Sequence, residues 1–315
     1  MDVAMDMPDE THVAASGFDV PDYGAIVLPY WVRRTPSMMR NGELKLVYAL
    51  AREYRNPELD MVDAGCFLGG STVAMAAGLH QRGDARRFLK KIHSYDRFVN
   101  SSDFYGRFLY GTVERGGSFL GQFLENTGPF DRYINVYPGD FARIGWIKKK
   151  IGLFFCDIAK SPALNAKVYA EYAPWWVPQE TLYIQQDFVH TQAPWVQIAI
   201  GYLAEHFQPL AIEIPSLLLR LESRIPEWKI QRIQADDFTQ AEKLDAIARL
   251  KTWFDDPETS ATMDLITVAL LNDAGRREEA RTLATTIVAA HEPSIHNAYF
   301  RVRLKQVLAL VGLPE

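Results

Sequence analysis

Apolar residues along the first two thirds of the chain gather into short runs that close on an acid, and along the last third they recur only at helical spacing. The runs Met61-Val62-Asp63-Ala64, Ile92-His93-Ser94-Tyr95-Asp96, Tyr133-Ile134-Asn135-Val136-Tyr137, Gly152-Leu153-Phe154-Phe155-Cys156-Asp157 and Thr181-Leu182-Tyr183-Ile184-Gln185-Gln186-Asp187 read as five strands. Their near-continuous apolar character is that of parallel strands covered on both faces. Helical spacing fills the intervals: Leu44, Val47, Tyr48, Leu50 and Ala51 behind Ser37 and Asn41 as caps, then 71–79, 118–126, 162–173 and 196–205. The stretches 208–214 and 217–221 read as closing strands, one of them antiparallel. Strands alternating with helices predict an α/β fold, a doubly wound, mainly parallel, seven-stranded Rossmann-like sheet.

Beyond Pro226 the pattern is helical throughout, with segments 238–254, 260–272, 278–290 and 297–311 separated by Asp255-Asp256-Pro257, Asp273-Ala274-Gly275 and Glu292-Pro293. The turn at 274–280 is similar to that of a tetratricopeptide-type helix pair. The organisation expected is therefore a mobile N-terminal arm over 1–36, with an aromatic lid or oligomer contact from Tyr23 to Trp31, a ligand-binding domain over 37–225 and a C-terminal all-helical extension over 226–315.

Between the first strand and its helix stands Asp63-x-Gly65-x-x-x-Gly69-Gly70-Ser71-Thr72. The glycines permit turns and close ligand approach, and Ser71 and Thr72 are good helix-cap types. The spacing is not the Gly-x-Gly-x-x-Gly of a dinucleotide site, which disfavours a nicotinamide-dependent oxidoreductase. Asp63, Asp96, Asp140, Asp157 and Asp187 all stand at or just after strand ends, the rim where open α/β sheets bind ligands.

Composition narrows the partners. The net charge is −5 with no concentrated basic tract, so a small or neutral partner fits better than nucleic acid. No apolar run approaches the roughly 18 residues of a membrane span, and the expected location is cytoplasmic. The two cysteines, Cys66 and Cys156, form neither a disulfide framework nor a zinc set and read as buried thiols. Arg86, Arg87, Lys90 and Lys91 read as a solvated face, and the apolar terminal segments are compatible with a homodimer.

With the later strands in view, the glycine motif, Asp96-Arg97-Phe98, Gly139-Asp140-Phe141, Cys156-Asp157-Ile158-Ala159-Lys160-Ser161 and Gln186-Asp187-Phe188 together resemble class I S-adenosylmethionine-dependent methyltransferases over about residues 37–222. Within that superfamily the chain is most similar to the macrocin O-methyltransferase-like group, which acts on sugar hydroxyls of natural products. The resemblance implies a cofactor site made of Asp63, Gly65, Cys66, Phe67, Gly69, Ser71 and Thr72 at the glycine turn, Asp96 on the ribose hydroxyls with Arg97 beside it, Gly139, Asp140 and Phe141 about the adenine, and Asp157. It further implies a magnesium ion held by Asp157, Asp187 and the residue before it, which here is Gln186 in place of an acid.

Methyl transfer to oxygen requires alignment and removal of a proton. His190 is the first candidate base, Asp187 lies three residues before it, and Lys160 is placed to assist by charge or by accepting a proton. Trp175, Trp176 and Trp195 are candidates to stack on an acceptor, and the Gly- and aromatic-rich segment 99–131 is the expected wall of its site. The expected activity is O-methylation of a small molecule or sugar. The competing expectation is a methyltransferase-like scaffold that binds without catalysis, motivated by Gln186 and the helical tail.

Overall fold

The structure, a computed structural model, describes residues 20–291 and 298–313. The mobile arm expected at the extreme N-terminus falls, up to residue 19, outside the described residues, as does the Glu292-Pro293 break. In chain order the elements are α1 (Tyr30–Arg34), α2 (Asn41–Glu53), β1 (Asp60–Ala64), α3 (Gly70–His80), β2 (Ile92–Asp96), α4 (Asp103–Phe108), α5 (Leu120–Thr127), β3 (Ile134–Pro138), β4 (Ile151–Cys156), α6 (Pro162–Lys167), β5 (Leu182–Gln185), α7 (Pro194–Tyr202), β6 (Phe207–Glu213) and β7 (Ser216–Leu221). Five helices follow: α8 (Glu227–Ala235), α9 (Gln240–Lys251), α10 (Pro257–Asp273), α11 (Arg277–His291) and α12 (Ala298–Val311).

The seven strands form one Rossmann-like sheet in the order β3-β2-β1-β4-β5-β7-β6. The first five are parallel, and β7 runs antiparallel to both β5 and β6. Every residue of β1 and β4 is buried, which is why these strands read as apolar runs with no polar alternation. Chain direction across the sheet reverses between β1 and β4, so the crevice at their carboxyl ends is the place where such sheets take ligands.

One apolar cluster joins α2 and α3 to one face of the sheet, with Leu28 and Val32 of the N-terminal segment buried in it. A second covers the other face and includes Ile247, Leu250, Met263, Ile266 and Leu270 of α9 and α10 beside Phe154 and Tyr183 of the strands. The C-terminal extension therefore shares the core of the sheet rather than standing off from it. A Cβ at Gly201 of α7 would strike the backbone of Ala246 in α9, so these helices cross in close contact.

Three local features differ from expectation. Helix α8 precedes the first helical segment expected beyond Pro226, and just Lys229, Ile230 and Ile233 of its nine residues are buried. The helix expected over 162–173 is α-helical only to Lys167, then widens to a π-turn over Val168–Tyr172 and closes as a 3-10 turn at Ala173–Trp175, where Pro174 lacks the N–H to continue the ladder. Among the supposed solvated charges, the Lys91 ammonium reaches 2.7 Å from the fully buried Asp60, and Lys90 donates to the carbonyls of Asp131 and Ile134. Both cysteines are free and buried.

Candidate active site

The turn after β1 is tied to its neighbours through the backbone. The amides of Gly65 and Cys66 donate to the Tyr95 carbonyl at 2.8 and 3.3 Å, and the Asp157 amide donates to the Ala64 carbonyl at 2.7 Å. Gly65 and Gly69 have φ of +96° and +97°, and a Cβ on Gly65 would collide with the carbonyl of Asp157, so both conformation and contact call for glycine there. Gly69, not Ser71 or Thr72, is the N-cap of α3. Ser71 and Thr72 lie inside the first turn and aim their hydroxyls back at Asp63: Ser71 Oγ is 2.9 Å from each Asp63 oxygen, and Thr72 Oγ1 donates to Oδ2. Burial pushes the Asp63 carboxyl up to about 7 even against these two donors.

Asp96 ends β2 in a different setting. Its Oδ2 accepts from the Phe67 amide at 2.9 Å and its Oδ1 from the Phe98 amide at 2.7 Å. The carboxylate thereby clamps the glycine turn to the loop after β2, and both donor residues adopt left-handed backbone, φ +47° at Phe67 and +52° at Phe98. Burial raises the Asp96 pKa, and the two amides oppose it. Arg97 is exposed. Phe67, Phe98, Phe119 and Phe123 pack as one aromatic cluster with Cys66 and Leu68, so the segment 99–131 lies directly on the turn. Gly139, φ +141°, donates its amide to the Asp96 carbonyl at 2.9 Å. The exposed Asp140 caps its own turn through the Ala142 amide at 3.0 Å, while Phe141 is buried and stacked on Tyr172 with centroids 5.2 Å apart.

The third group stands beyond β4 and β5. The Lys160 ammonium donates to Oδ1 of Asp157 and Oδ2 of Asp187, bridging the two strand ends. Both carboxylates are largely covered, 19% and 13% exposed, whereas the lysine side chain is 50% exposed. Burial pushes Asp157 up to about 6, with Lys160 opposing and Asp187 adding to the rise. Burial works against the Lys160 charge, but the two carboxylates outweigh it and raise its pKa. Asp187 sits at φ +66° in a turn closed by the His190 amide on its carbonyl at 3.0 Å. That turn brings Nε2 of His190 to 3.1 Å from Asp187 Oδ1.

His190 is held neutral. Burial lowers its pKa to about 4, with the charges of Arg303 and Lys160 adding to the fall and Asp187 opposing it. Arg303 had no signal in the sequence: it comes from α12, is itself buried, and places Nη2 at 2.9 Å from His190 Nε2. Gln186 turns its backbone amide to the Cys156 carbonyl at 3.0 Å, and its side-chain Oε1 is buried with no hydrogen-bond partner among the described residues. Trp176 is buried in the core and Trp195 donates to the Ala159 carbonyl at 2.7 Å. A further buried acid, Glu43 in α2, accepts from Ser216 Oγ at 2.6 Å and from the Arg40 amide at 2.9 Å, and burial pushes it up to about 8.

The donor set suits a magnesium ion and S-adenosylmethionine unequally. For magnesium it does not fit as it stands: the place between the carboxylates holds an ammonium, the third position is a neutral amide, and among the described residues no three His, Cys, Asp or Glu side chains converge. For the cofactor the residue types fit, since a glycine turn follows β1 and a backbone-clamped carboxylate ends β2 beside it.

No family model matches the chain. No curated protein matches it either. Among solved structures, geranyl diphosphate methyltransferase in complex with SAM aligns at 15% identity over 75% of this chain and 88% of that one, with a TM-score of 0.27. Geranyl diphosphate C-methyltransferase from Streptomyces coelicolor, in complex with Mg2+, geranyl diphosphate and S-adenosyl-L-homocysteine, aligns at 14% identity over 75% and 82% of the two chains, with a TM-score of 0.26. At such scores neither likeness carries weight here, and the fold stands on its own strand order.

Proposed function

We propose that this chain is an S-adenosylmethionine-dependent O-methyltransferase that methylates a hydroxyl of a small molecule or sugar. The observation that carries the reading is Asp96, fixed by the Phe67 and Phe98 amides beside the glycine turn. One backbone donor on each oxygen sets the plane of the carboxylate and leaves a lone pair on each for two adjacent ribose hydroxyls. Asp63, Asp96 and Asp157 all have pKa values raised by burial, as carboxyls withdrawn from water do. Bound there, the cofactor supplies a methyl group on a cationic sulfur.

The chain's own residues manage the acceptor. His190 is neutral at neutral pH and is the proton acceptor by position, and Asp187 Oδ1, at 3.1 Å, stabilises the imidazolium that forms. The segment 99–131, seated on the turn, walls the acceptor side, and the reading places this chemistry in the cytoplasm.

Calorimetric titration with S-adenosylmethionine and S-adenosylhomocysteine tests the reading. Saturable binding is expected, weakened at least about tenfold in Asp96→Ala, the equivalent of about 1.4 kcal/mol. Absence of binding to the folded chain removes the reading. Binding without turnover on any hydroxyl acceptor favours the non-catalytic scaffold.

A further inference from the structure

We infer that Lys160 is the resident cation of the candidate active site, taking the place of a divalent ion between Asp157 and Asp187 and leaving its remaining N–H to hold the acceptor oxygen. The inference rests on the methyltransferase reading for the acceptor role alone; the occupancy of the rim by the ammonium stands on geometry.

The position is built for a cation. Asp157 and Asp187 end neighbouring strands, which run about 4.8 Å apart, and both carboxylates are largely withdrawn from water. Two such anions at that distance require an opposite charge between them. Lys160 provides it from three residues past Asp157, with its own amide donating to the Ile158 carbonyl at 2.7 Å to set the turn. Gln186 contributes no charge, so the ammonium brings the group from −2 to −1. A divalent ion would have to expel the lysine or share the site with a like charge, and magnesium is bound by oxygen ligands, several of them water, not by a crowded ammonium.

The charge count is internally consistent. Replacing an acid by Gln186 removes one negative charge, and replacing a divalent ion by an ammonium removes one positive charge. The net charge offered to a cationic ligand is unchanged. An ammonium has three donors, of which Asp157 and Asp187 take two. Half of the lysine side chain is exposed, which leaves the third donor to be offered to an acceptor oxygen losing its proton to His190, which would gain both a hydrogen bond and a positive charge. A magnesium ion performs the same service by coordination.

Manganese titration followed by electron paramagnetic resonance tests this on the full chain, Lys160→Ala, Lys160→Gln and Lys160→Ala combined with Asp187→Asn, each checked for folding by thermal melting. The wild-type chain is expected to show no manganese site tighter than about 1 mM. Lys160→Ala is expected to gain a site at least about tenfold tighter, as two carboxylates and the Gln186 carbonyl become free for the ion. The added Asp187→Asn change removes it. If Lys160→Ala does not fold, Lys160→Gln, which keeps a donor for the carboxylates, carries the same comparison. A stoichiometric, micromolar site in the wild-type chain overturns the inference, and so does a folded Lys160 variant with no gain. Calorimetry with S-adenosylmethionine, run with and without chelator, is expected to give the same affinity in both. Its failure in every form counts against the methyltransferase reading and leaves the manganese result to stand separately.

Discussion

Nη2 of Arg303 lies 2.9 Å from Nε2 of His190, joining the last helix of the chain to the loop after β5. A guanidinium only donates and a carboxylate only accepts, so Nε2, which also lies 3.1 Å from Asp187 Oδ1, serves one of the two at a time. Helix α12 thus brings a cation to the candidate base, while its apolar residues Phe300, Leu304 and Val307 anchor it on α10 and α11.

Arg303→Met keeps the buried length and removes the charge. The His190 pKa, lowered to about 4 by burial and by the Arg303 and Lys160 charges, is expected to rise part of the way towards its ordinary value of about 6.5. The titration of the imidazole Cε1 proton by NMR reads this directly. An unchanged midpoint would show that Arg303 does not set the protonation of His190.

Asp96→Ala removes the acceptor of two backbone amides as well as the proposed ribose contact. It is expected to cost stability, about 1–3 kcal/mol for the amides left unsatisfied, together with the loss in cofactor affinity. Urea unfolding separates the two effects. A full-stability variant with weakened binding would mean that the amides find other partners and that the clamp is dispensable.

Asp60 lies at the opposite end of β1, fully buried, with Lys91 at 2.7 Å, His93 at 2.9 Å and Lys149 at 3.4 Å. Burial raises its pKa, but these partners outweigh burial and the net shift is downward. The stabilisation is therefore present above the unfolded value of about 3.9 and is lost as pH falls through the lower folded value. Asp60→Asn is expected to destabilise the fold by about 3 kcal/mol at pH 7, as removal of one partner from a buried pair does. Unfolding midpoints of the variant and the wild type should converge in strong acid; a gap that persists there would assign the effect to packing.

Glu43 has the reverse sign. With a folded pKa of about 8 and an unfolded value near the ordinary 4.3, the folded state keeps a proton that the unfolded state gives up between them. Stability falls as pH rises through that window, by up to about 1.4 kcal/mol per unit. Glu43→Gln cannot ionise and is expected to flatten the slope of stability between pH 5 and 8, with the residual slope coming from Asp63 and Asp157, whose pKa values are about 7 and 6. Parallel slopes in the two proteins would exclude Glu43 as the source.

Strands β1, β2, β4 and β5 were legible because each is a buried run with an acid at or just beyond its carboxyl end, and Asp96, Asp157 and Asp187 indeed stand there. Periodicity says which face of a helix is apolar, not where that face docks, so the sharing of one core by α9, α10 and the sheet was not legible. Nor was Arg303 at His190, a contact spanning 113 positions with nothing in either neighbourhood to announce it. The bridge from Lys160 was half legible: its spacing from Asp157 was visible, while its reach to Asp187 depended on β4 and β5 being neighbours. Helix α8 escaped because three buried residues in nine leave too thin an apolar stripe.

The stacking of Phe67 on Tyr105, with centroids 5.3 Å apart, and its edge contact with Phe119 at 5.1 Å put a residue of the glycine turn inside the aromatic cluster of the segment that follows β2. That segment is consequently not an interchangeable module. Grafting it from a homologous chain, or diversifying it to redirect acceptor choice, alters the packing that holds Phe67 in left-handed backbone and, through the Phe67 amide, the orientation of Asp96. Under the proposed function, a change in this segment that alters acceptor choice is expected to alter cofactor affinity too, with Phe98, Phe119 and Phe123 as the packing partners that transmit it.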